Sequence, residues 1–436
     1  MQAKVLKNAG WIIACKVVKA VLMFIVTAIT ARYLGTYNYG LINYAAGLVS
    51  FVVPIMRLGL DSVMVHEIIN RPNEEGKVIG TIMGMASASS LLCIVGVVAF
   101  TMMVNVGETD TVIVCAIYSL MLFFQAFELI HYWFQAKFLA KFSALAMMIS
   151  YIIVTIFQIV LVLIKVNVYF FAISYSLDYF LISLILVFVY KKQGGYALKF
   201  SFSLAKKLFS VSKYYIIANL MTSILSQIDI VMIKLMISTE AAGIYATAHT
   251  CATMLSFVFY AIIDSFRPEI FSGRNESIET FEKRMIELFS IVIYFSLFTS
   301  TMITLFSPLI IKIMYGNEFV VAVDILRVAV WFANFSFLGT VRNIWILAEG
   351  KQKYILVINT FGAVCNVLLN YFMINSLGIM GAALASVVTN ILMNVVLIFI
   401  IKPIRRSGTL MLKGLNFKNL TGIFDFIKKK SEKKNG

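Results

Sequence analysis

The sequence predicts an all-α polytopic membrane protein with about twelve transmembrane helices, in two six-helix bundles related by a parallel pseudo-two-fold repeat. Three observations predict this fold: an apolar composition, long apolar runs that recur to residue 401, and a weak likeness between the two halves of the chain. Of its 436 residues, 61% are hydrophobic and 13% are charged. A soluble domain has about 45–50% apolar and about 25% charged residues, so this composition indicates a surface exposed mainly to lipid.

The apolar runs divide into twelve segments, each near the roughly 20 residues that a spanning helix needs. The first run contains Lys16 and Lys19 and lacks a small-residue cleavage site, so it is interpreted as a retained helix rather than a signal peptide. The predicted spans are 9–31, 40–60, 78–104, 112–135, 142–164, 167–190, 211–237, 243–263, 285–315, 319–347, 353–375 and 378–401.

Basic residues gather in alternate loops between these spans. One face receives 28 of the 37 Lys and Arg residues, the other face receives three, and six lie within spans. Cytoplasmic loops of membrane proteins carry an excess of Lys and Arg, so both termini are predicted to be cytoplasmic. The same placement argues against nucleic acid as a partner, although the formal net charge is +16.

The two halves of the chain align weakly in a consistent register. A shift of 203 residues lays Gly40 on Gly243 and Asp61 on Asp264, and a later shift of 212 lays Trp133 on Trp345. Six helices in each half make the repeat parallel, an architecture that suits alternating access with the substrate held between two bundles.

Four segments follow from this repeat and from the charge distribution. The basic segments 191–210 and 402–436 mix Lys and Arg with Leu and Phe. This composition suits either an amphipathic helix on anionic lipid or a solvated charge cluster that sets topology. The outer loops are too short to form an extracytoplasmic domain. The predicted segments are an N-terminal bundle (1–190), a basic cytoplasmic linker (191–210), a C-terminal bundle (211–401) and a basic cytoplasmic tail (402–436).

Charged and polar side chains within the spans are the functional candidates, because a charge at mid-bilayer costs roughly 2.5–3.5 kcal/mol. Basic residues on two helices are expected to converge on a central water-filled cleft, although Lys16 and Lys19 alternatively snorkel to the interface. The predicted substrate-binding set lies on the first helix and along one stripe of the tenth: Lys16, Lys19, Arg327, Trp331, Asn334 and Arg342.

Three acidic residues within spans, Glu128, Asp178 and Asp229, are the candidates for binding a coupling ion. Several polar residues also have a purely structural interpretation, either as bonds between helices or as side chains that snorkel from span ends. Residues open to these interpretations are Glu128 with His131, the asparagines Asn359, Asn366, Asn370, Asn390 and Asn394, and the basic residues Arg57 and Lys234.

Motifs for catalysis and metal binding are not found. The chain has no GxxxxGK[ST] phosphate loop, and the HExxH-like stretch from His66 has Asn70 at the second histidine position. The five cysteines lie in predicted spans without CxxC spacing and are interpreted as small apolar residues. The prediction is a transporter that is not an enzyme, with no catalytic residue, metal or cofactor.

Short motifs distributed over nearly the whole chain carry a resemblance to a known family. On twelve spans and in this order, they resemble the polysaccharide flippases of the multidrug/oligosaccharidyl-lipid/polysaccharide exporter superfamily, the O-antigen and capsule repeat-unit flippases of bacteria. The motifs are Arg32-Tyr33-Leu34-Gly35, Tyr39-Gly40, Gly59-Leu60-Asp61, Asp229-Ile230-Val231-Met232-Ile233, Gly243-Ile244-Tyr245, Ala348-Glu349-Gly350-Lys351, the spaced Asn359, Asn366 and Asn370, and Gly378 with Gly381-Ala382-Ala383.

The resemblance implies a V-shaped pair of bundles in the bacterial inner membrane. It implies that the chain moves an undecaprenyl-pyrophosphate-linked oligosaccharide from the cytoplasmic to the outer leaflet. A cavity lined by Arg and Lys agrees in sign with that anionic head group. The expected partners are the lipid-linked oligosaccharide and membrane lipids, with a polysaccharide polymerase and chain-length machinery as further ones.

Two other functions stay open on sequence alone. A multidrug exporter of the same superfamily would handle organic cations and should line its cavity with carboxylates. A membrane polysaccharide polymerase or ligase ordinarily needs a sizeable outer loop, which the short outer loops do not provide. A fourteen-span relative flips the peptidoglycan precursor, and the two extra spans are missing from this chain.

Overall fold

A computed structural model describes residues 2–419, with side chains described from Leu22 onward. Contacts divide the chain into two compact units, Met1–Ala246 and Thr247–Gly436. Both units are built of packed α-helices, and the described residues contain no β-strand. The predicted tail beyond residue 419 lies outside this description.

The helices of the first unit follow the predicted spans along the chain, and the last of them continues past Ala246. Their bounds are α1 Gln2–Met56, α2 Asp61–Asn70, α3 Glu75–Val104, α4 Thr109–Ser119, α5 Met121–Glu128, α6 His131–Ala136, α7 Ala140–Leu163, α8 Val168–Lys192, α9 Phe202–Met236 and α10 Thr239–Thr253.

The second unit completes the set of long helices and adds a short one after the last span. A π-helical turn, Leu392–Val396, interrupts its final span. The bounds are α11 Ser256–Glu276, α12 Ile278–Met314, α13 Ala322–Ala348, α14 Lys353–Leu377, α15 Ile379–Ile391, α16 Leu397–Ile400 and α17 Arg405–Lys413, with single 3₁₀ turns at Asn317–Phe319 and Lys402–Ile404.

The predicted all-α membrane fold is confirmed. In the described part of the chain, eleven helical stretches are long and apolar enough to span a membrane. The count is eleven because α1 runs through both of the first two predicted spans, while the other ten predicted spans each match one stretch. Gly35 separates the two parts of α1, since its φ of 70° and ψ of 178° are not helical. Glycine reaches that region at little steric cost.

Loops predicted to share a face lie together in the first unit. Tyr33 donates to the Val166 carbonyl at 2.8 Å, and Lys234 forms an ion pair with Glu108. These four residues belong to loops or span ends predicted to be extracytoplasmic, hereafter the outer face. The alternation of loops between two faces therefore agrees with twelve crossings, whereas which face is cytoplasmic stays a prediction.

Two glycines that the repeat aligns, Gly40 and Gly243, pack against each other in a reciprocal way. A Cβ on Gly40 would collide with the Thr239 carbonyl, and a Cβ on Gly243 would collide with the Thr36 carbonyl. The same shift of 203 residues relates Thr36 to Thr239. Reciprocal contact between equivalent residues is the mark of a two-fold interface, as the parallel repeat requires. The bundle boundaries at 190 and 211 stay a prediction.

The predicted linker does not form a surface helix throughout. Residues 195–200 have no regular secondary structure and lie along α3, where a Cβ on Gly80 would come within 2.7 Å of the Lys199 nitrogen. The Lys199 amide donates to the Gly76 carbonyl at 3.2 Å. Helix α9 then begins at Phe202, nine residues before the predicted residue 211. Hydropathy missed this start because lysines occupy its first turns, although the Ser201 hydroxyl caps the helix.

The described part of the predicted tail packs on protein. Helix α17 lies against α12, where Ser290 donates to the Gly414 carbonyl at 2.8 Å and Arg406 forms a bidentate pair with Glu282 at 2.5–2.6 Å. Its buried face, which includes Leu410 and Met411, therefore contacts α12 and its neighbours in the second unit.

Candidate functional site

Helix α13 carries the part of the predicted substrate-binding set that the structure describes. The side chains of Lys16 and Lys19 lie outside the described residues. Arg327 lies near the start of α13 and is exposed, with a single ion pair to Asp324 one turn earlier at 3.0 Å. Neighbouring solvent screens such a pair, so it adds little to stability. The guanidinium is thus available to a ligand at this end of α13.

Arg342, near the other end of α13, has a different environment. Only 1% of the residue is exposed. Its guanidinium donates to the Met393 carbonyl at 3.0 Å, to Asn394 Oδ1 at 2.9 Å and to Asn343 Oδ1 at 2.9 Å. These acceptors are neutral, and no carboxylate pairs with Arg342 among the described residues. A full positive charge is therefore held inside the second unit by amide and carbonyl dipoles.

The π-helical turn explains how Arg342 is held. A π turn shifts the backbone bonds from i−4 to i−5 and is frequent at functional sites. Met393 and Asn394 both lie inside the turn Leu392–Val396, so their oxygens face α13. Gly339, one helical turn before Arg342, makes room for this approach, because a Cβ there would collide with the Asn394 amide. The Gly339 and Asn394 contact was not predicted, since hydropathy gives no signal for a π turn.

The other two predicted residues on α13 lie between the arginines. Asn334 is 6% exposed, and its Oδ1 accepts a hydrogen bond from Ser300 of α12 at 2.6 Å. Trp331 is half-buried. Asn334 therefore ties α13 to α12 in this structure, whereas the sequence pattern grouped it with the two arginines as a substrate-binding candidate. The structure does not bring Arg327 and Arg342 to a common point, because one is exposed and the other is enclosed.

Each of the three acidic candidates already has a hydrogen-bond partner. Glu128 pairs with Arg57 at 3.2 Å, Asp178 accepts from Ser150 at 2.7 Å, and Asp229 accepts from the Tyr245 hydroxyl. A carboxylate that is fixed by a donor can still exchange a proton when the donor moves. Their assignment to ion coupling stays a prediction.

Glu128 belongs to a wider polar cluster in the first unit. His131 lies within 3.0 Å of the Glu128 carbonyl. Three buried atoms of this region make no hydrogen bond: Arg57 Nε, Asp61 Oδ1 and Gln125 Oε1. Buried polar atoms without a partner are costly, so the cluster offers places where a water or proton could be accommodated. Glu128 was predicted from the sequence as a candidate for binding a coupling ion, but Arg57 and Asp61 were not predicted to lie beside it.

One ion pair of a buried lysine with an exposed glutamate was not predicted. Lys234 is 5% exposed and pairs with Glu108, whose carboxylate also accepts from Thr111 at 2.7 Å. The Lys234 ammonium lies 5.1 Å from the centre of the Tyr44 ring. Lys234 was interpreted from the sequence as a residue that snorkels from a span end. Its pairing with Glu108 was not predicted, because the two residues are 126 positions apart.

This chain matches a family of known proteins and resembles a curated relative. Residues 5–273 match the model of a family described as polysaccharide biosynthesis protein. A probable low-salt glycan biosynthesis flippase of Haloferax volcanii is 25% identical over 190 residues, which is 43% of this chain and 40% of that protein. The aligned region thus spans less than half the length of this curated relative.

Two solved structures have the same fold over nearly the whole chain. An inward-facing multidrug resistance transporter of the MATE family and MOP superfamily aligns with a TM-score of 0.71 and 14% identity, covering 90% of this chain and 95% of that one. A lipid II flippase in an inward closed conformation aligns with a TM-score of 0.69 and 16% identity, covering 92% and 90%. At such identities, these similarities concern the fold.

Proposed function

The chain belongs to the polysaccharide biosynthesis protein family, and from this premise we propose that it flips a lipid-linked oligosaccharide across the inner membrane of a bacterial cell. The cargo is an O-antigen or capsule repeat unit on undecaprenyl pyrophosphate, moved from the cytoplasmic to the outer leaflet. Both termini are cytoplasmic in this proposal. A polymerase and chain-length machinery receive the product.

The observation that carries the proposal is the net positive charge of α13. Arg342 lies in a spanning helix with neutral acceptors alone, and Arg327 is exposed on the same helix. An ion-pair partner is the ordinary way to lower the cost of a buried charge, and a pyrophosphate head group supplies two or more negative charges. Arginine suits this ligand because its planar fork binds phosphate oxygens in a bidentate way.

The proposed site comprises Arg327, Arg342, Trp331 and Asn334 of α13 together with Lys16 and Lys19 of α1. Arg327 engages the head group first or last, since it is already exposed. Arg342 engages it when the substrate separates the guanidinium from Asn394. The charge of a pyrophosphate would favour that exchange, because its anionic oxygens attract the guanidinium more strongly than the neutral Asn394 oxygen does.

Transport proceeds by alternating access without ATP hydrolysis by this chain. The first unit's polar cluster supports Glu128 as the leading candidate for coupling to a cation gradient, with Asp178 and Asp229 as further candidates. Glu128 is 9% exposed and neighbours two buried atoms that make no hydrogen bond, Arg57 Nε and Gln125 Oε1. Protonation of Glu128 would release Arg57, which gives a direct route from proton binding to movement of helices.

Complementation tests the proposal. A flippase-deficient strain should regain surface glycan with the wild-type chain and lose it with Arg327→Ala, at unchanged abundance in the membrane. Arg327→Lys keeps the charge but loses the planar fork, so intermediate export is expected. Val328→Ala, next to Arg327 on the same helix but outside the proposed site, leaves charge unaltered and is the matched control. Normal glycan from both Arg327→Ala and Arg342→Ala would reject the cationic site.

A further inference from the structure

A polar pocket of about 340 Å³ opens on the outer face of the first unit. It is lined by residues from three separate loops: Tyr33 and Asn38 near the Gly35 break, Asp110 at the start of α4, and Val166 with Asn167 just before α8. Arg327, Arg342, Trp331 and Asn334, the described residues of the proposed cationic site, do not line it. This pocket is accordingly a second candidate site on the molecule.

Hydrogen bonds between the loops hold the pocket open. Tyr33 donates to the Val166 carbonyl at 2.8 Å, and its ring packs on Phe171 with centroids 5.6 Å apart. The Tyr169 hydroxyl donates to Asp110 Oδ1 at 2.5 Å, and Asn167 caps α8 by accepting from the Tyr169 amide. The walls are therefore fixed by contacts within the protein, so a ligand would lose little affinity to loop ordering.

The lining leaves a mixed set of donors and acceptors for a ligand. In the described part of the chain, no hydrogen bond uses the second oxygen of Asp110. The Asn38 amide nitrogen donates to the Leu34 carbonyl at 3.1 Å, which leaves its oxygen as an acceptor. Asn167 uses its oxygen for the cap and keeps its amide nitrogen as a donor. Leu34 and Val168 add apolar surface.

The charge of the lining decides between ligand classes. Asp110 is the charged residue among those that line the pocket; Arg32 and Lys165 adjoin lining residues in sequence but are not among them. Asp110 would repel an anion. The carboxylates of Glu108 and Glu240 also act electrostatically on the neighbouring Tyr37, so they add to the negative charge near the pocket. A calcium ion takes six to eight oxygen ligands, usually including several carboxylates, whereas one carboxylate is present here.

A neutral ligand with several hydroxyl groups fits this lining. A carboxylate accepts from two hydroxyls, amides donate and accept, and apolar side chains cover the C–H faces of a ring. Small-molecule sites range from about 300 to 1,000 Å³, so 340 Å³ suits one sugar ring rather than a chain. We propose that this pocket binds one neutral sugar residue of the exported glycan at the outer face, a role that rests on the proposed function.

Saturation-transfer NMR on the full chain in nanodiscs tests the proposal without any transport. The probes are methyl glycosides of glucose, galactose and mannose at millimolar concentration, with glucuronate and calcium chloride as competing arms. Transfer to a neutral glycoside is expected. Asp110→Ala should weaken it at least tenfold, because hydrogen bonds to an ionised carboxylate are stronger than those between neutral groups. Asn167→Ala should also weaken it.

Glu240→Gln is the matched control, since Glu240 is an exposed acid on the same face that does not line the pocket. It should leave transfer unchanged, and thermal melting verifies that every variant is folded. Absence of transfer to all three neutral glycosides would overturn the sugar site. Transfer that is as strong in both pocket variants as in the wild type would overturn it too. Displacement by calcium or preference for glucuronate would overturn it as well. Failure of complementation with normal sugar binding would instead reject the flippase proposal.

Discussion

The Arg342 guanidinium is enclosed by oxygens of Met393, Asn394 and Asn343, whereas Arg327 on the same helix faces outward. One residue type therefore has two physical roles fifteen positions apart. The enclosed arginine holds the π turn against α13, and the exposed one has no comparable structural role. Their effects on stability should differ accordingly.

Arg342→Ala is expected to lower the stability of the purified protein strongly. It orphans the Met393 carbonyl and the Asn394 amide oxygen, and each buried acceptor without a donor costs about 1–3 kcal/mol. Arg327→Ala removes one exposed ion pair and should cost at most about 0.5 kcal/mol. Thermal unfolding of both variants in detergent measures the difference. Equal melting temperatures would contradict the structural role of Arg342.

The sequence identified both arginines but not this division of roles. Polar residues in an apolar helix were visible as a stripe, since a helix repeats every 3.6 residues. Burial of Arg342 depends on Gly339 and on a π turn in a helix 50 residues later, and neither leaves a hydropathy signal. Pairings of distant residues, such as Lys234 with Glu108, were invisible for the same reason.

At the scale of helices, the end of α9 is held at the outer face by Lys234 and Glu108. Burial alone would raise the pKa of the Glu108 carboxyl, but hydrogen bonds from Lys234 and Thr111 outweigh it, so the pKa is lowered from its ordinary value of 4.5. A lowered folded-state pKa means that the ionised form stabilises the fold. The stabilising contribution of the Glu108 carboxylate is complete above the pKa that this carboxyl has in the unfolded chain. It is lost as the pH falls through the lower pKa of the folded protein.

Glu108→Gln should therefore lower the melting temperature at neutral pH. The difference from the wild type should persist down to about pH 4.5, the ordinary carboxyl pKa, and disappear only under more acidic conditions. Melting curves at several pH values check this. Glu240→Gln, an exposed acid on the same face, should give no such pH-dependent difference. A difference that vanished already between pH 6 and pH 7 would be inconsistent with a lowered pKa.

The contact between linker residues 195–200 and α3 is a second feature at the scale of helices. Gly80→Val should lift residues 195–200 from α3, because a Cβ would lie 2.7 Å from the Lys199 nitrogen and 2.8 Å from its carbonyl oxygen. Such overpacking costs about 1–3 kcal/mol. Limited proteolysis should then cut the linker faster. Gly96→Val is the control on the same helix, since nothing lies within 4 Å of a Cβ there. Equal cleavage rates would argue against the contact.

The linker also marks the limit of sequence-based reasoning at this scale. The predicted spans rest on apolar length, which composition reveals well, but the start of α9 is governed by the Ser201 cap and by packing of Leu204 and Leu208. A basic segment with aromatics looked suited to a lipid surface. Gly76 and Gly80 of α3 instead accommodate its backbone, and Gly84 accommodates the Phe200 ring.

For the whole molecule, apolar runs and charge alternation predicted twelve crossings, and the weak alignment of the two halves predicted the parallel repeat. The reciprocal packing of Gly40 and Gly243 gives the repeat a structural counterpart. Membrane orientation can be measured directly. Cysteines placed at Glu240 and Ser376 in a cysteine-free chain should react with an impermeant maleimide from outside intact cells. A cysteine at Lys206 should react only after lysis, and the opposite pattern would invert the orientation.

The central claim is that this chain alone moves a lipid-linked oligosaccharide across a bilayer. The most direct measurement reconstitutes the purified protein in vesicles that contain undecaprenyl-pyrophosphate oligosaccharide in the inner leaflet. An added glycosidase or lectin then reports glycan at the outer surface. The account predicts that, with a cation gradient imposed across the vesicles, glycan becomes accessible without ATP, and that Arg327→Ala slows its appearance. Glycan that stays protected with the wild-type protein, or that emerges only when ATP is supplied, would contradict the account.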